Sequence, residues 1–133
     1  MALILLADDD ELVREVVRAA LATRGHVVGL VDNGADAVRV VELKKPALVI
    51  LDCSMPELPG VEVLRQIRIS RTVYRTPVLM LTARRSTMDE EIAMRAGAND
   101  YLRKPFDPDE LIARVESLLA KKAEQDALAD RPA

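Results

Sequence analysis

Five short apolar runs alternate with longer amphipathic segments along this chain, and no other feature limits its fold as strongly. The runs fall at residues 2–7, 26–31, 47–51, 77–82 and 99–103. Their near-continuous Val, Ile and Leu suit parallel strands buried on both faces, while the more polar last run reads as an edge. Strand–helix units repeated five times predict an α/β domain wound around one parallel sheet. No internal repeat beyond this alternation and no low-complexity segment is present.

Helix signals fill the gaps between the runs. Leu12, Val13, Val16, Val17, Ala20 and Leu21 form one apolar stripe, with Glu11, Arg14, Glu15 and Arg18 opposite, and Gly25 suits a left-handed stop. Asp10 stands where an N-cap belongs. A second helix is expected over about Gly34 to Lys44, stopped by Pro46, and a third over about Val61 to Ser70 after Pro59-Gly60. Ser86-Thr87-Met88-Asp89 has capping-box spacing for a fourth, which Gly97 ends. Asp107, Pro108 and Glu110 announce a fifth, with a core face of Leu111, Ile112, Val115, Leu118 and Leu119. After Lys122 the pattern fades, so residues 1–122 read as one domain and 123–133 as a frayed end, tail or linker stub.

Composition narrows the function. With 133 residues the chain suits one domain. A single cysteine, Cys53, excludes an intramolecular disulfide and any multi-cysteine metal centre. No apolar run approaches the roughly 18 residues that cross a bilayer. The apolar start runs directly into three aspartates without a leading Lys or Arg, which makes a poor signal peptide. The expectation is a cytoplasmic protein with no membrane contact. A net charge of −3 and only three aromatic residues, Tyr74, Tyr101 and Phe106, argue against direct nucleic-acid binding.

Ligands of an open parallel sheet bind at the carboxyl ends of its strands. Asp8 and Asp9 follow the first strand, Asp52 ends the third, Thr82 ends the fourth and Lys104 lies just past the fifth. Like charges about 4 Å apart repel by about 4 kcal/mol per pair at an effective dielectric of 20, so converging carboxylates need a cation. An all-oxygen donor set without His or Cys selects a hard ion, and Mg²⁺ favours one or two carboxylates, waters and a phosphate. An Asp nucleophile can form an acyl phosphate while Mg²⁺, an ammonium and a hydroxyl offset charge on the transferred oxygens. Each residue also has a plainer role: turn former for Asp52, strand residue for Thr82, solvated charge for Lys104. Their joint placement favours the chemistry.

Four motifs carry a family resemblance: Ile4-Leu5-Leu6-Ala7-Asp8-Asp9-Asp10; Leu51-Asp52-Cys53-Ser54-Met55-Pro56 through Gly60; Val78-Leu79-Met80-Leu81-Thr82-Ala83; and Ala96-Gly97-Ala98-Asn99-Asp100-Tyr101-Leu102-Arg103-Lys104-Pro105-Phe106. In this order and spacing the chain resembles the receiver domain of bacterial two-component response regulators, from about Leu3 to Lys121. The resemblance implies a doubly wound (βα)5, flavodoxin-like three-layer sandwich with strand order 2-1-3-4-5. It implies that Asp52 accepts a phosphoryl group from a sensor histidine kinase or phosphotransfer protein. It further implies Mg²⁺, with Mn²⁺ as a substitute, bound by Asp9, Asp52 and the Ser54 backbone carbonyl, with Asp8 acting through water. Thr82, Ala83 and Lys104 are then the phosphoryl-binding positions, and Tyr101 swings from exposed to buried as the surface of helix 4, strand 5 and helix 5 rearranges. Ser54 and Arg84 are implied as positions that tune the lifetime, and Lys104-Pro105 as a cis peptide.

Two positions depart from the family pattern. Cys53 stands where an apolar residue is usual and reads as a small buried side chain, and Ala7 replaces the commoner Val. The output is not legible: a stand-alone regulator, or a receiver cut from a DNA-binding regulator, a cyclase or a hybrid kinase, all fit. Asp100, Glu110 and Arg114 resemble the charged face through which DNA-binding members form phosphorylation-dependent homodimers, although Glu110 and Arg114, four apart on one helix, can simply pair with each other. A Mg²⁺-dependent phosphohydrolase is the alternative, but such enzymes need Asp-x-Asp at the nucleophile, and the third position here is Ser54. No nucleotide-binding loop follows the first strand, and a docking module with a dead acceptor is a further alternative, although all five acceptor-site positions are chemically intact.

Overall fold

The computed structural model describes residues 1–83 and 87–130. Its strands are β1 (Leu3–Ala7), β2 (Val27–Val31), β3 (Leu48–Asp52), β4 (Val78–Thr82) and β5 (Asp100–Arg103). They alternate with helices α1 (Glu11–Ala22), α2 (Gly34–Lys44), α3 (Gly60–Ile69), α4 (Thr87–Ala96) and α5 (Pro108–Ala129). All strand pairs are parallel, in the order β2-β1-β3-β4-β5. The register sets Ala7 beside Leu51, Asp52 beside Leu81 and Thr82 beside Arg103, which brings the strand ends to one edge.

The period of two along each strand divides the interior into two cores. Leu5, Ala7, Val49, Leu51, Val78 and Met80 face Ala37 and Val41 of α2, Val63, Leu64 and Ile67 of α3, and Ala93 of α4. Ile4, Leu6, Leu48, Ile50, Leu79 and Leu81 face Val17 and Leu21 of α1 and Leu111, Val115 and Leu118 of α5. Three helices therefore cover one face and two the other, with the chain crossing between faces around β1 and β3. A doubly wound sheet opens its ligand crevice at that point.

Caps follow the expected chemistry at several ends. Asp10 accepts hydrogen bonds from Leu12 N (2.9 Å) and Val13 N (3.4 Å) as N-cap of α1. Asn33 caps α2 through Asp36 N, and Asp107 caps α5 through Asp109 N, each at 2.8 Å. Gly25 (φ 80°) and Gly97 (φ 107°) adopt the left-handed turns that follow α1 and α4. Ser86, expected to open α4, lies outside the described residues, as does Arg84. The Glu110 half of the α5 capping box does not form, because its carboxylate pairs with Arg114 Nη2 at 2.9 Å instead of reaching back.

Other readings change in the structure. The buried stripe of α1 is narrower than its sequence pattern: Leu12 is 71% exposed and Val16 is also exposed, leaving Val17 and Leu21 in the core. β2, which reads as buried on both faces, is the second edge, and Val27 is 54% exposed because only β1 flanks it. Helix α5 does not stop where its apolar pattern fades. It continues to Ala129, with Lys122 Nζ on Asp126 at 2.5 and 2.7 Å and Arg75 Nη2 at 3.5 Å from the same carboxylate.

Candidate functional site

The carboxyl edge of β1, β3, β4 and β5 gathers the residues singled out from the sequence. Asp8 is fully buried, Asp52 is 5% exposed, and Asp9 projects to solvent. Asp8, Asp9 and Asp52 each place one carboxylate oxygen within 4.8 Å of the others. These oxygens come from two strands that are neighbours only because β3 pairs with β1.

Lys104 enters from the far side. Its ammonium lies 2.8 Å from Asp8 Oδ2 and 3.3 Å from Asp52 Oδ1. The Lys104-Pro105 peptide is cis, and Lys104 N donates to the Thr82 carbonyl at 2.8 Å, which fastens the chain after β5 to the end of β4. Burial works against the ammonium charge, but the two carboxylates outweigh it and hold Lys104 above the ordinary lysine range.

One cation does not neutralise three acids. Burial and then the charge of Asp8 push the Asp52 carboxyl up to about 6, against the pull of Lys104 and of the Ser54 N–H, which donates to Asp52 Oδ1 at 3.3 Å. The site therefore still favours positive charge. Its donors are oxygens alone, which fits a hard divalent ion such as Mg²⁺ and gives a soft metal no ligand. Ser54 follows on the loop after Asp52.

Thr82 is fully buried, and its Oγ1 has no hydrogen-bond partner among the described residues. An unmet buried hydroxyl costs about 1–3 kcal/mol and is rarely retained without a reason. Thr82 ends β4, which pairs with β3, the strand that Asp52 ends. Ala83 follows it and is exposed, with no obstruction from a large side chain.

Several neighbours of the cluster were not legible as such. Arg14 reads as a solvated residue on the polar face of α1, yet its Nη1 donates to the Asp8 carbonyl at 2.8 Å. Asp8 Oδ1 in turn accepts from Asp10 N at 2.9 Å, so the turn after β1 is held from both sides. Gly60 N donates to the Cys53 carbonyl at 3.2 Å and closes the loop after β3. Cys53 itself is half-buried, and burial first, then Asp89 and Asp52, push its thiol up to about 12, which leaves it a protonated, unreactive packing group.

The charged residues on the β5–α5 side are paired within the chain. Arg114 Nη1 reaches Asp100 Oδ1 at 2.9 Å and the Tyr101 carbonyl at 3.0 Å, and Nη2 reaches Glu110. Tyr101 is half-buried beside α4. No helix among the described residues is long and apolar enough to cross a membrane.

Comparison with known proteins agrees with this arrangement. The family model for the response regulator receiver domain matches residues 4–116. Response regulator MprA of Mycobacterium ulcerans is 43% identical over 128 residues, covering 96% of this chain and 54% of the relative. The chain thus spans about half the length of the curated relatives it matches. A putative response regulator from Chloroflexus aurantiacus superposes with a TM-score of 0.87 at 34% identity, covering 90% of this chain and 98% of the other. The receiver domain of sensor histidine kinase PA1611 from Pseudomonas aeruginosa, solved with a magnesium ion coordinated in its active site cleft, gives 0.83 at 35% identity, with 90% and 98% covered.

Proposed function

The chain belongs to the response regulator receiver family of two-component signalling, and from that premise we propose that Asp52 is its phosphoryl acceptor. The observation that carries this reading is the convergence of Asp8, Asp9, Asp52, Lys104 and the unpartnered Thr82 hydroxyl on one sheet edge. In the reaction an Asp52 carboxylate oxygen forms a bond to phosphorus while the bond from phosphorus to the donor's histidine nitrogen breaks. The nitrogen retains that electron pair. Lys104 exchanges part of its contact with Asp52 for the new phosphoryl oxygens, and Thr82 Oγ1 donates to one of them.

Asp9, Asp52 and the Ser54 carbonyl would hold Mg²⁺ or Mn²⁺, with Asp8 acting through water, and the bound ion supplies positive charge for the transferred oxygens. The hydrogen bond of Thr82 exists only in the phosphorylated form, so phosphorylation shifts the population of two conformations. Tyr101, Ala83 and the α4–β5–α5 surface read out that shift. The donor is a sensor histidine kinase or phosphotransfer protein in the cytoplasm, and the receiver acts as a switch and not as an enzyme with turnover on external substrates. Residues 1–122 form the receiver, and 123–133 lead away as tail or linker, the first part continuing α5 as helix. Its output is control of a partner or of a homodimer through the face that holds Asp100, Glu110 and Arg114, which would have to exchange their internal pairs for pairs across the interface.

Incubation with acetyl phosphate and Mg²⁺, followed by intact mass, tests this reading. A single phosphoryl adduct that requires Mg²⁺ and is absent from Asp52→Ala is expected. Repeated release of phosphate from added phosphate esters, with no adduct, would contradict it in favour of a hydrolase.

A further inference from the structure

Glu90 is a buried acid that the chemistry at the carboxyl edge does not use. It lies in the first turns of α4, and its carboxylate meets the guanidinium of Arg103, the last residue of β5. The contact is two-pronged: Nε approaches Oε1, and Nη2 lies 3.1 Å from Oε2. Arg103 holds this carboxylate below the usual range for Glu, against the opposing effect of burial. Tyr101, Glu90, Glu91 and Met94 line one surface hollow of about 360 Å³.

The location of this contact matters more than its strength. Arg103 is the register partner of Thr82 and immediately precedes Lys104, whose N–H is bonded to the Thr82 carbonyl at 2.8 Å. Any shift of Thr82 or Lys104 toward a new ligand is thus felt at Arg103. The other end of α4 is differently fastened: Arg68 of α3 donates through Nε to the Gly97 carbonyl at 2.9 Å and through Nη2 to Asn99 Oδ1 at 2.8 Å. Arg68 Nη1 also meets the Thr76 carbonyl at 2.7 Å, so this end is tied both to α3 and to the stretch before β4. Its start, by contrast, meets β5 through a half-exposed guanidinium.

We propose that Glu90 and Arg103 form a latch that keeps Tyr101 beside α4 in the unphosphorylated protein and must open for Tyr101 to turn inward. This inference rests on the reading of Asp52 as acceptor and adds a positioning pair to it. Glu90 touches neither the acid cluster nor the phosphoryl group. It acts through Tyr101, and Arg103 acts through the strand that carries Lys104. A pair of this exposure biases a two-state equilibrium by about two- to fivefold, enough to set how often the unphosphorylated protein samples the switched state.

The test uses the chain with Tyr74→Phe, which leaves Tyr101 as its one tyrosine. Acrylamide quenching of tyrosine fluorescence without phosphodonor reports the position of the ring, and the rate of labelling by acetyl phosphate with Mg²⁺ reports access to the switched state. Glu90→Gln and Arg103→Gln are each expected to lower quenching and raise the labelling rate about two- to fivefold, and the double variant to do no more than either single one. Unchanged quenching and rate in the folded Arg103→Gln protein would overturn the latch, as would additive effects in the double variant. Arg103 is the safer site because its guanidinium is half-exposed, so its loss leaves no buried gap. Failure of the parent protein to label would instead contradict the acceptor reading, and the quenching measurement, which needs no phosphoryl group, still decides the latch.

Discussion

Asp52 carries the electrostatic tension of the site. Its carboxyl is raised to about 6 from an ordinary value of 3.8, first by burial and then by Asp8. A carboxyl that binds its proton more tightly when folded contributes stability that is fully present below the unfolded value and is lost as pH rises through the folded one. In metal-free protein, unfolding free energy should therefore fall between about pH 4 and pH 7, and Asp52→Asn should be more stable than the parent by about 1–3 kcal/mol at about pH 8. At about pH 4 the two should converge. Adding Mg²⁺ at about pH 8 should reverse the order, because the charged carboxylate is then a ligand. Urea denaturation at the two pH values, with and without the ion, checks the sign. Thr82 is the neutral counterpart: its buried hydroxyl has no partner among the described residues, and under the proposed acceptor role one arrives with the phosphoryl group.

Elements bring these residues together through a few tight approaches. The loop between β3 and α3 returns so closely that a Cβ on Gly60 would sit 2.0 Å from the Asp52 carbonyl oxygen and 2.9 Å from its carbon. Both are backbone atoms and cannot move aside without shifting the acceptor. Gly60→Ala should cost about 3 kcal/mol in urea denaturation, whereas Gly29→Ala on edge strand β2, where a Cβ would meet Leu5 Cδ1 at 3.7 Å, should stay within about 0.5 kcal/mol. The strand runs and the cluster of Asp8, Asp9, Asp52, Thr82 and Lys104 were legible beforehand because hydrophobic period and parallel topology alone send strand ends to one edge. Contacts of charged side chains between elements were not. Nothing in the spacing of Arg68, Glu90 or Arg103 names a partner, since each joins segments that meet only after the sheet has formed. The continuation of α5 past Lys122 was equally hidden: its last turns bury little apolar surface and are held by Lys122, Asp126 and Arg75.

At the scale of the whole molecule the two faces of the sheet do different work. The α1–α5 face is a closed aliphatic core, with Leu21, Leu79, Leu81 and Leu111 fully buried, and it holds β1 and β3 in the register that pairs Asp8 with Asp52. The other face carries α4, tied at its end through Arg68 and at its start through Arg103. The proposed acceptor is a single carboxylate, that of Asp52. The most direct measurement is reduction of acetyl phosphate-treated protein with borohydride, which converts an acyl phosphate to an alcohol, followed by peptide mapping. Modification confined to Asp52 and dependent on Mg²⁺ is the predicted result; modification at Asp8 or Asp9, or none in a folded protein whose adduct is trapped as it forms, would contradict it.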